Sequence, residues 1–510
     1  MRAFFIECSG EHWVGVGEAL ATARGWEPVL WTGDADTRRL VSEVFLDCAV
    51  LVGVDETRNA GPAVAPELPL DGPLLRALAA DEAIGLAMMD RMDHAPSVLS
   101  HDTRRRHWYA LLRRWNGILN ALTPDIVVFS IAPHAIYDYA LYALCKHHGI
   151  ETRMFERSAL PGLVHIIHRF EEGSPQVRTA LELGESSISA RGQQHLAGLR
   201  SGGGGAVPEN YRKKLAERKL LRGNGGQMRS GLLRIIGLEL RRTAYLLRHR
   251  RPPQNYMLRE DAAGRLVAPG LFGWLAARWR GQWRKLCLAR LHQRLAQEVD
   301  LRGPFVLLAL HFQPERAVVP MAGIFCDQLL IADMIARNLP NGWRLVVKEH
   351  PWQLVPFGRG ELGRQPGFYR EIAEMPNTML APLNADTQEL LRHARAVVTV
   401  TGSVGWQAIA CGIPALVFGA AWYRDADGVH GIDDLDSCRA ALARIANGEG
   451  PAVGAAERMI AALEQVAVPG VLEPSLEAAD HLDLRSAVAA MADALAASAR
   501  PTTPYGLTAS

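Results

Sequence analysis

From Pro304 onward the chain repeats one short unit, an apolar run followed by a helical stretch, and this pattern constrains the fold more than any other feature. Phe305 to Phe312, Arg344 to His350, Thr378 to Pro382, Ala396 to Thr401 and Pro414 to Gly419 read as strands. Gly323 to Asn338, Phe368 to Glu374, Thr387 to Ala394 and Ser403 to Ala410 read as the helices between them. Short runs that are apolar throughout need cover on both faces, and a doubly wound parallel sheet supplies it. Ligands of such sheets sit beyond the carboxyl ends of the strands.

The same rhythm opens the chain. Ala3 to Ile6 is an apolar run, a helical stretch follows to Gly25, and Pro28 to Trp31 is the next strand, closed by Thr32-Gly33. Pro124-Asp125 introduces a strand at Ile126 to Ser130, the helix Ile136 to His148 follows, and Gly149 stops it before a strand at Thr152 to Glu156. A glycine just past a helix accepts the left-handed conformation that ends it. Asp71 to Leu119 reads as helical with a polar interruption, and Leu163 to Phe170 as a further strand. The expected organisation is an N-terminal Rossmann-like domain (1–173), a basic helical linker (174–300), a C-terminal Rossmann-like domain (301–470), and C-terminal helices with a loose tail (471–510). This is an α/β chain whose two doubly wound parallel sheets, joined by a helical linker region, define the GT-B arrangement.

Composition narrows the class. A chain of 510 residues with 48% hydrophobic and 22% charged residues reads as a soluble protein of two or three domains. The opening MRAFFIECSGEHW lacks the apolar core of an export signal, and no run of 18 apolar residues occurs, so a cytoplasmic location is expected. Seven cysteines are scattered without metal-ligand spacing and read as reduced thiols; no metal and no cofactor is expected. The net charge of +2 hides an asymmetry: 21 Lys and Arg stand against six Asp and Glu between Tyr211 and Asp300. Leu232, Leu233, Ile235, Ile236 and Leu240 alternate there with Arg234, Arg241 and Arg242, and Trp274, Trp279 and Trp283 lie among Arg278, Arg280, Arg284 and Lys285. A solvated helix face is one reading. A contact of region 211–295 with an anionic membrane surface is the functional one. Nucleic acid is not an expected partner, because no binding module accompanies the charge.

Polar residues gather at the predicted strand ends of the C-terminal half. His311, Gln313 and Glu315 follow the first strand, Lys348, His350 and Pro351 the second, Thr401, Gly402 and Ser403 the fourth, and Trp422 and Tyr423 the fifth. Four loops at the mouth of one sheet outline a nucleotide pocket. Thr401-Gly402-Ser403 opens a helix, whose free N–H groups suit a phosphate, and Lys348 and His350 suit a departing phosphate. Each also has a structural reading: a turn histidine, a helix cap, a core aromatic pair. In the N-terminal half Asp138 and Glu156 stand as candidate catalytic or acceptor-binding carboxylates.

The stretch from His311 to Asp434 resembles the capsule polysaccharide biosynthesis family, which includes transferases of Kdo (3-deoxy-manno-octulosonate). HFQPE, AGIFCDQL, VVKEHP, FYREIAEMPNTMLAP, VTVTGSVGWQA and GIPALVFGAAWY carry the likeness, as do Pro133-His134 with Asp138-Tyr139, Gly149-Ile150 and Phe155-Glu156. The resemblance implies a metal-independent glycosyltransferase with a nucleotide-sugar donor, CMP-linked acidic sugars included, and a glycan or lipid-linked glycan acceptor. It implies that His350-Pro351 and Thr401 or Ser403 hold the nucleotide. By the same likeness the acidic pair Glu171-Glu172 before Gly173 supplies the base for an inverting transfer, and His134 joins the candidate catalytic residues. Position 407 is Gln where relatives often carry Glu. Location on the inner face of the membrane follows from such an acceptor. A nucleotide-sugar epimerase of the same architecture, and a non-catalytic glycan-binding or export-assisting protein, are the alternatives.

Overall fold

A computed structural model describes residues 1–93, 98–202, 258–261, 266–355, 358–473 and 483–499, with isolated positions between 237 and 248. The predicted pattern at 232–236, the glycines 223, 225 and 226, and the tail 501–510 lie outside the described residues.

The strands in chain order are β1 (Arg2–Ile6), β2 (Glu27–Gly33), β3 (Ala49–Val52), β4 (Ile126–Phe129), β5 (Glu151–Arg157), β6 (Leu163–Ile167), β7 (Arg259–Glu260), β8 (Leu266–Val267), β9 (Phe305–Ala309), β10 (Arg344–Lys348), β11 (Thr378–Leu380), β12 (Ala396–Thr399), β13 (Ala415–Val417), β14 (Val429–Gly431) and β15 (Val468–Pro469). The N-terminal sheet runs β15-β6-β5-β4-β1-β2-β3, and the C-terminal sheet β11-β10-β9-β12-β13-β14. All pairs are parallel except β5–β6 and β6–β15 in the first sheet; β7 and β8 form a small antiparallel pair of their own.

Alternation along the central strands explains the layers. Phe4, Ile6, Val127 and Phe129 face one core, while Ala3, Phe5, Ile126 and Val128 face another. Val306 and Leu308 in the C-terminal sheet likewise turn away from Phe305 and Leu307. Side chains that alternate between two buried faces each contribute about 1.5–3 kcal/mol when large and fully enclosed. The first of these cores runs on from the N-terminal half, through Met88, Met89, Leu258 and Phe325, into the C-terminal half. That shared apolar contact sets the two sheets against each other.

Several predicted elements stand with their predicted bounds: the helices Ile136–His148, Phe368–Glu374 and Ser403–Ala410. Others are corrected. The strands predicted to reach Phe312, His350 and Thr401 end at Ala309, Lys348 and Thr399, because the backbone leaves the sheet where the polar loops begin. β3 and β14 extend the two sheets beyond the predicted strands. The strand expected from Leu163 to Phe170 stops at Ile167 and runs antiparallel to β5. Region 174–300, read as a helical connecting region, also contains the two-residue strands β7 and β8. Its first helices, Pro175–Glu182 and Ala190–Arg200, pack in one core with Trp406, Met459 and Leu463 of the C-terminal half. The last helix, Leu484–Ser498, returns to the N-terminal half, where Val488 lies against Gly15 and Ser498 Oγ accepts from Arg153 Nε at 3.0 Å.

Candidate active site

Each sheet has one place where consecutive crossovers diverge. In the N-terminal sheet it lies between β1 and β4, and in the C-terminal sheet between β9 and β12. A crevice opens beyond the carboxyl ends of the strands at such a point, and both crevices here are lined with polar side chains.

In the C-terminal crevice a hydrogen-bond network fixes the loops. His311, next to β9, and Thr399, the last residue of β12, bridge the divergence: Nε2 of His311 lies 2.9 Å from Thr399 Oγ1. The same nitrogen accepts the N–H groups of Val400 (3.2 Å) and Thr401 (3.3 Å), which requires a neutral ring. Burial, with His350 and Arg364 nearby, pushes its pKa down to about 3. Glu349 and Arg364 are both fully buried and pair in a two-point contact of 2.9 Å each. Burial opposes ionisation of Glu349, but Arg364 and the hydroxyl of Tyr369 (2.7 Å) outweigh it and hold the carboxyl below its usual range. Arg364 also donates to His311 O (2.9 Å) and to Gln313 Oε1 (2.6 Å), so one guanidinium ties the loop after β9 to the loop after β10.

The predicted donor residues divide on this geometry. His311 and Gln313 are spent on the scaffold, Gln313 also donating to Cys326 O at 2.8 Å. Lys348 is buried, and its ammonium donates to Leu383 O at 3.1 Å, behind the loop and not in its mouth. Thr401 Oγ1 donates to Ala317 O at 2.7 Å, and Gly402 N–H to Thr399 Oγ1 at 3.1 Å. Tyr423 is core: its hydroxyl donates to Gly402 O at 2.5 Å, and its ring packs with Trp406 and Trp422. His350 stands at the crevice beside Phe312, its Nδ1 accepting from Trp352 N at 3.1 Å. Pro351 and Ser403 are exposed at the same mouth. Gln407 exchanges amide hydrogen bonds with Gln388 at 2.9 and 3.0 Å, a neutral pairing that a Glu at 407 could not complete.

The N-terminal crevice is more strongly charged. Asp138 is buried at the start of helix Ile136–His148, where Oδ2 accepts from His134 N (2.9 Å) and Ala135 N (3.1 Å). Its Oδ1 has no hydrogen-bond partner. Burial, then the charge of Glu7, raises its pKa well above the usual carboxylate range. His134 Nδ1 lies 3.9 Å from Asp138, and burial with Arg316 and Arg91 pushes that ring down to about 3. Glu156 at the end of β5 lies 3.5 Å from His165, and Arg157 pairs with Glu473 at 3.4 Å. Arg91 donates to His134 O, and burial lowers its guanidinium to about 10. From the other half, the loop after β9 brings Glu315 and Arg316 into electrostatic reach of Arg91, Glu156, Arg157 and Glu473.

Glu171 and Glu172 are not brought to this crevice. β6 runs back from Glu156, so the turn that follows it leaves from the far side. There Glu171 accepts from the hydroxyl of Tyr142 and pairs with Lys146 at 3.2 Å, and its carbonyl accepts from Arg424 at 2.7 Å. Glu172 is exposed and pairs with Arg169.

Sequence reasoning missed Glu7, Arg91, Arg157, Arg316 and Arg364. Glu7 carried a usable signal, a carboxylate directly after the first apolar run. Arg316 carried another, its place beside Glu315.

Fold and crevices together define a two-sheet α/β protein of GT-B type, with one polar crevice per half. Residues 254–444 match the family model described as capsule polysaccharide biosynthesis protein. A stretch of 155 residues is 27% identical to the capsule polysaccharide export protein KpsS of Escherichia coli, covering 29% of this chain and 38% of that protein. The match thus spans well under half the length of the relative. Among solved structures, the beta Kdo 2,7 transferase of Thermosulfurimonas dismutans KpsC aligns over 74% of this chain and 88% of its own, with 9% identity and a TM-score of 0.29. The UDP-GlcNAc 2-epimerase of Neisseria meningitidis aligns over 98% and 99%, with 9% identity and a TM-score of 0.22.

Proposed function

We propose that this chain is a glycosyltransferase of capsule or related surface polysaccharide synthesis. It passes a sugar from a nucleotide donor to a glycan or its lipid anchor. The observation that carries this reading is the meeting of Arg91 and Arg157 from one half with Arg316 from the other, among the carboxylates Glu7, Asp138, Glu156 and Glu315. Guanidinium groups in a desolvated cleft suit carboxylates and phosphates, which favours an acidic activated sugar such as CMP-Kdo. The nucleotide sits at the C-terminal crevice, with His350, Pro351 and the Thr401-Gly402-Ser403 turn around its phosphate. The acceptor lies over the N-terminal crevice, where a carboxylate takes its proton and inversion at the anomeric carbon follows.

The basic segment belongs to the same account. On helix Leu271–Leu295 the face carrying Trp274, Leu275, Lys285, Leu288 and His292 is buried, while Phe272 is 78% and Trp283 66% exposed. Residues 272 and 283 are three turns apart and share a face with exposed Arg280, Arg290 and Arg294. Aromatic side chains beside arginines fit an anionic lipid surface, which suits a lipid-linked acceptor. Among the described residues no helix is long and apolar enough to cross a membrane.

A thermal-shift screen against CMP, CDP, UDP, GDP and ADP tests the nucleotide site. Selective stabilisation by one nucleotide is expected, about 2.7 kcal/mol at a hundredfold excess over Kd. No response to any of the five would contradict the reading.

A further inference from the structure

The N-terminal crevice contains one residue whose backbone and side chain are both held in an unusual state. Glu7 follows β1, the central strand at the divergence point, and has φ of 56°. That left-handed conformation is costly for a residue with a Cβ, about 1–3 kcal/mol, and persists where the surroundings enforce it. Here the Glu7 N–H donates to Thr32 Oγ1 at 2.8 Å, and Cys8 N–H to Thr32 O at 3.1 Å, which clamps the turn. The hydroxyl of Tyr137 donates to Glu7 Oε1 and lies 2.9 Å from Thr32 Oγ1. Beside that hydroxyl the carboxylate fills the space left by Gly53, where a Cβ would stand 2.2 Å from Glu7 Oε1 and 3.1 Å from the Tyr137 hydroxyl. The strained turn therefore aims one carboxylate, at a fixed angle, into the crevice that also holds Asp138 and its unpartnered Oδ1.

We propose that Glu7 is the catalytic base of the transfer reaction, an assignment that rests on the glycosyltransferase reading above. The acceptor hydroxyl loses its proton to the Glu7 carboxylate as its oxygen bonds to the anomeric carbon. The bond from that carbon to the donor phosphate breaks, and its electron pair leaves with the nucleotide. Tyr137 holds the carboxylate in place, and Asp138, whose carboxyl pKa is raised by burial and by the charge of Glu7, is its neighbour in the crevice. The groups facing Glu7 are Tyr137, whose hydrogen bond lowers its pKa, and Asp34 and Glu473, whose charges raise it. Burial is the largest influence, and the net direction is upward, which brings the base toward working pH.

The test uses the full chain, CMP-Kdo as donor and a Kdo-terminated glycolipid as acceptor, with CMP release and CMP binding measured separately. Glu7→Gln should bind CMP as the wild type does and lose turnover at least a hundredfold. Tyr137→Phe should retain turnover at high pH while the acid limb of its kcat/KM profile moves to higher pH, because a hydrogen bond that favours the ionised carboxylate is gone. Turnover of Glu7→Gln within about threefold of wild type, or an acid limb that Tyr137→Phe leaves in place, would overturn the assignment while leaving the transferase reading intact. A wild type that binds CMP but transfers nothing to any acceptor would overturn both.

Discussion

Arg364 and Glu349 form an ion pair with no solvent contact, and around it the loops after β9 and β10 are ordered. The pair sits beneath the C-terminal crevice and presents nothing to it. Removing one partner of such a pair leaves a buried charge, which costs about 3–5 kcal/mol. Arg364→Met is therefore expected to destabilise by about that amount in chemical denaturation, and to weaken nucleotide binding through disorder of the His350 loop. Glu349→Gln with Arg364→Met together should cost less than the sum of the two singles in a double-mutant cycle.

His311 makes stability depend on pH. Its folded pKa is depressed to about 3 from an ordinary value of 6.5. The stabilisation is complete above pH 6.5 and is lost as pH falls toward the folded value, at up to about 1.4 kcal/mol per pH unit for one proton. His311→Gln, which keeps an acceptor for the Val400 and Thr401 N–H groups, should flatten unfolding free energy against pH between 6.5 and 5. An unchanged slope there would mean that the imidazole is not the neutral acceptor described.

Gly53 offers a test of the N-terminal crevice that leaves the nucleotide site untouched. A methyl group at this position would displace the Glu7 carboxylate. Gly53→Ala should lower turnover by about a hundredfold with nucleotide affinity within twofold of wild type. Equal loss of both would point to a general folding defect.

Phe272 and Trp283 are the exposed aromatic anchors of the basic helix. Phe272→Asp with Trp283→Asp should reduce co-sedimentation with phosphatidylglycerol vesicles by more than tenfold, since each buried aromatic contributes about 1.5–3 kcal/mol. Activity on a water-soluble acceptor should be unaffected.

Much of this architecture was legible in the residues, and the pattern of success has physical causes. The C-terminal sheet was readable because β9, β10 and β12 are apolar on both faces and separated by amphipathic helices. Helix ends were sharp where Gly149 or the Gly402-Ser403 step marked them. Strand ends were not, because Leu310, Val400 and Phe418 remain buried after leaving the sheet. The direction of β6 carries no sequence signature, since an antiparallel edge strand has the same alternation as a parallel one. That is why Glu171 and Glu172 looked well placed and are not. Hydrogen-bonded hubs were invisible for a similar reason: nothing local tells that Arg364 reaches His311, Gln313 and Glu349 at once. Glu7 was overlooked because its distinction is conformational.

The central claim is that sugar moves from a nucleotide to an acceptor in the cleft between the two halves. Mass spectrometry of a reaction containing the protein, CMP-Kdo and a Kdo-terminated glycolipid measures this directly. The account predicts a glycolipid heavier by one sugar residue and an equal amount of released CMP, with neither product formed by Glu7→Gln. An acceptor left unmodified, or a nucleotide sugar converted to an isomer without any acceptor, would contradict it.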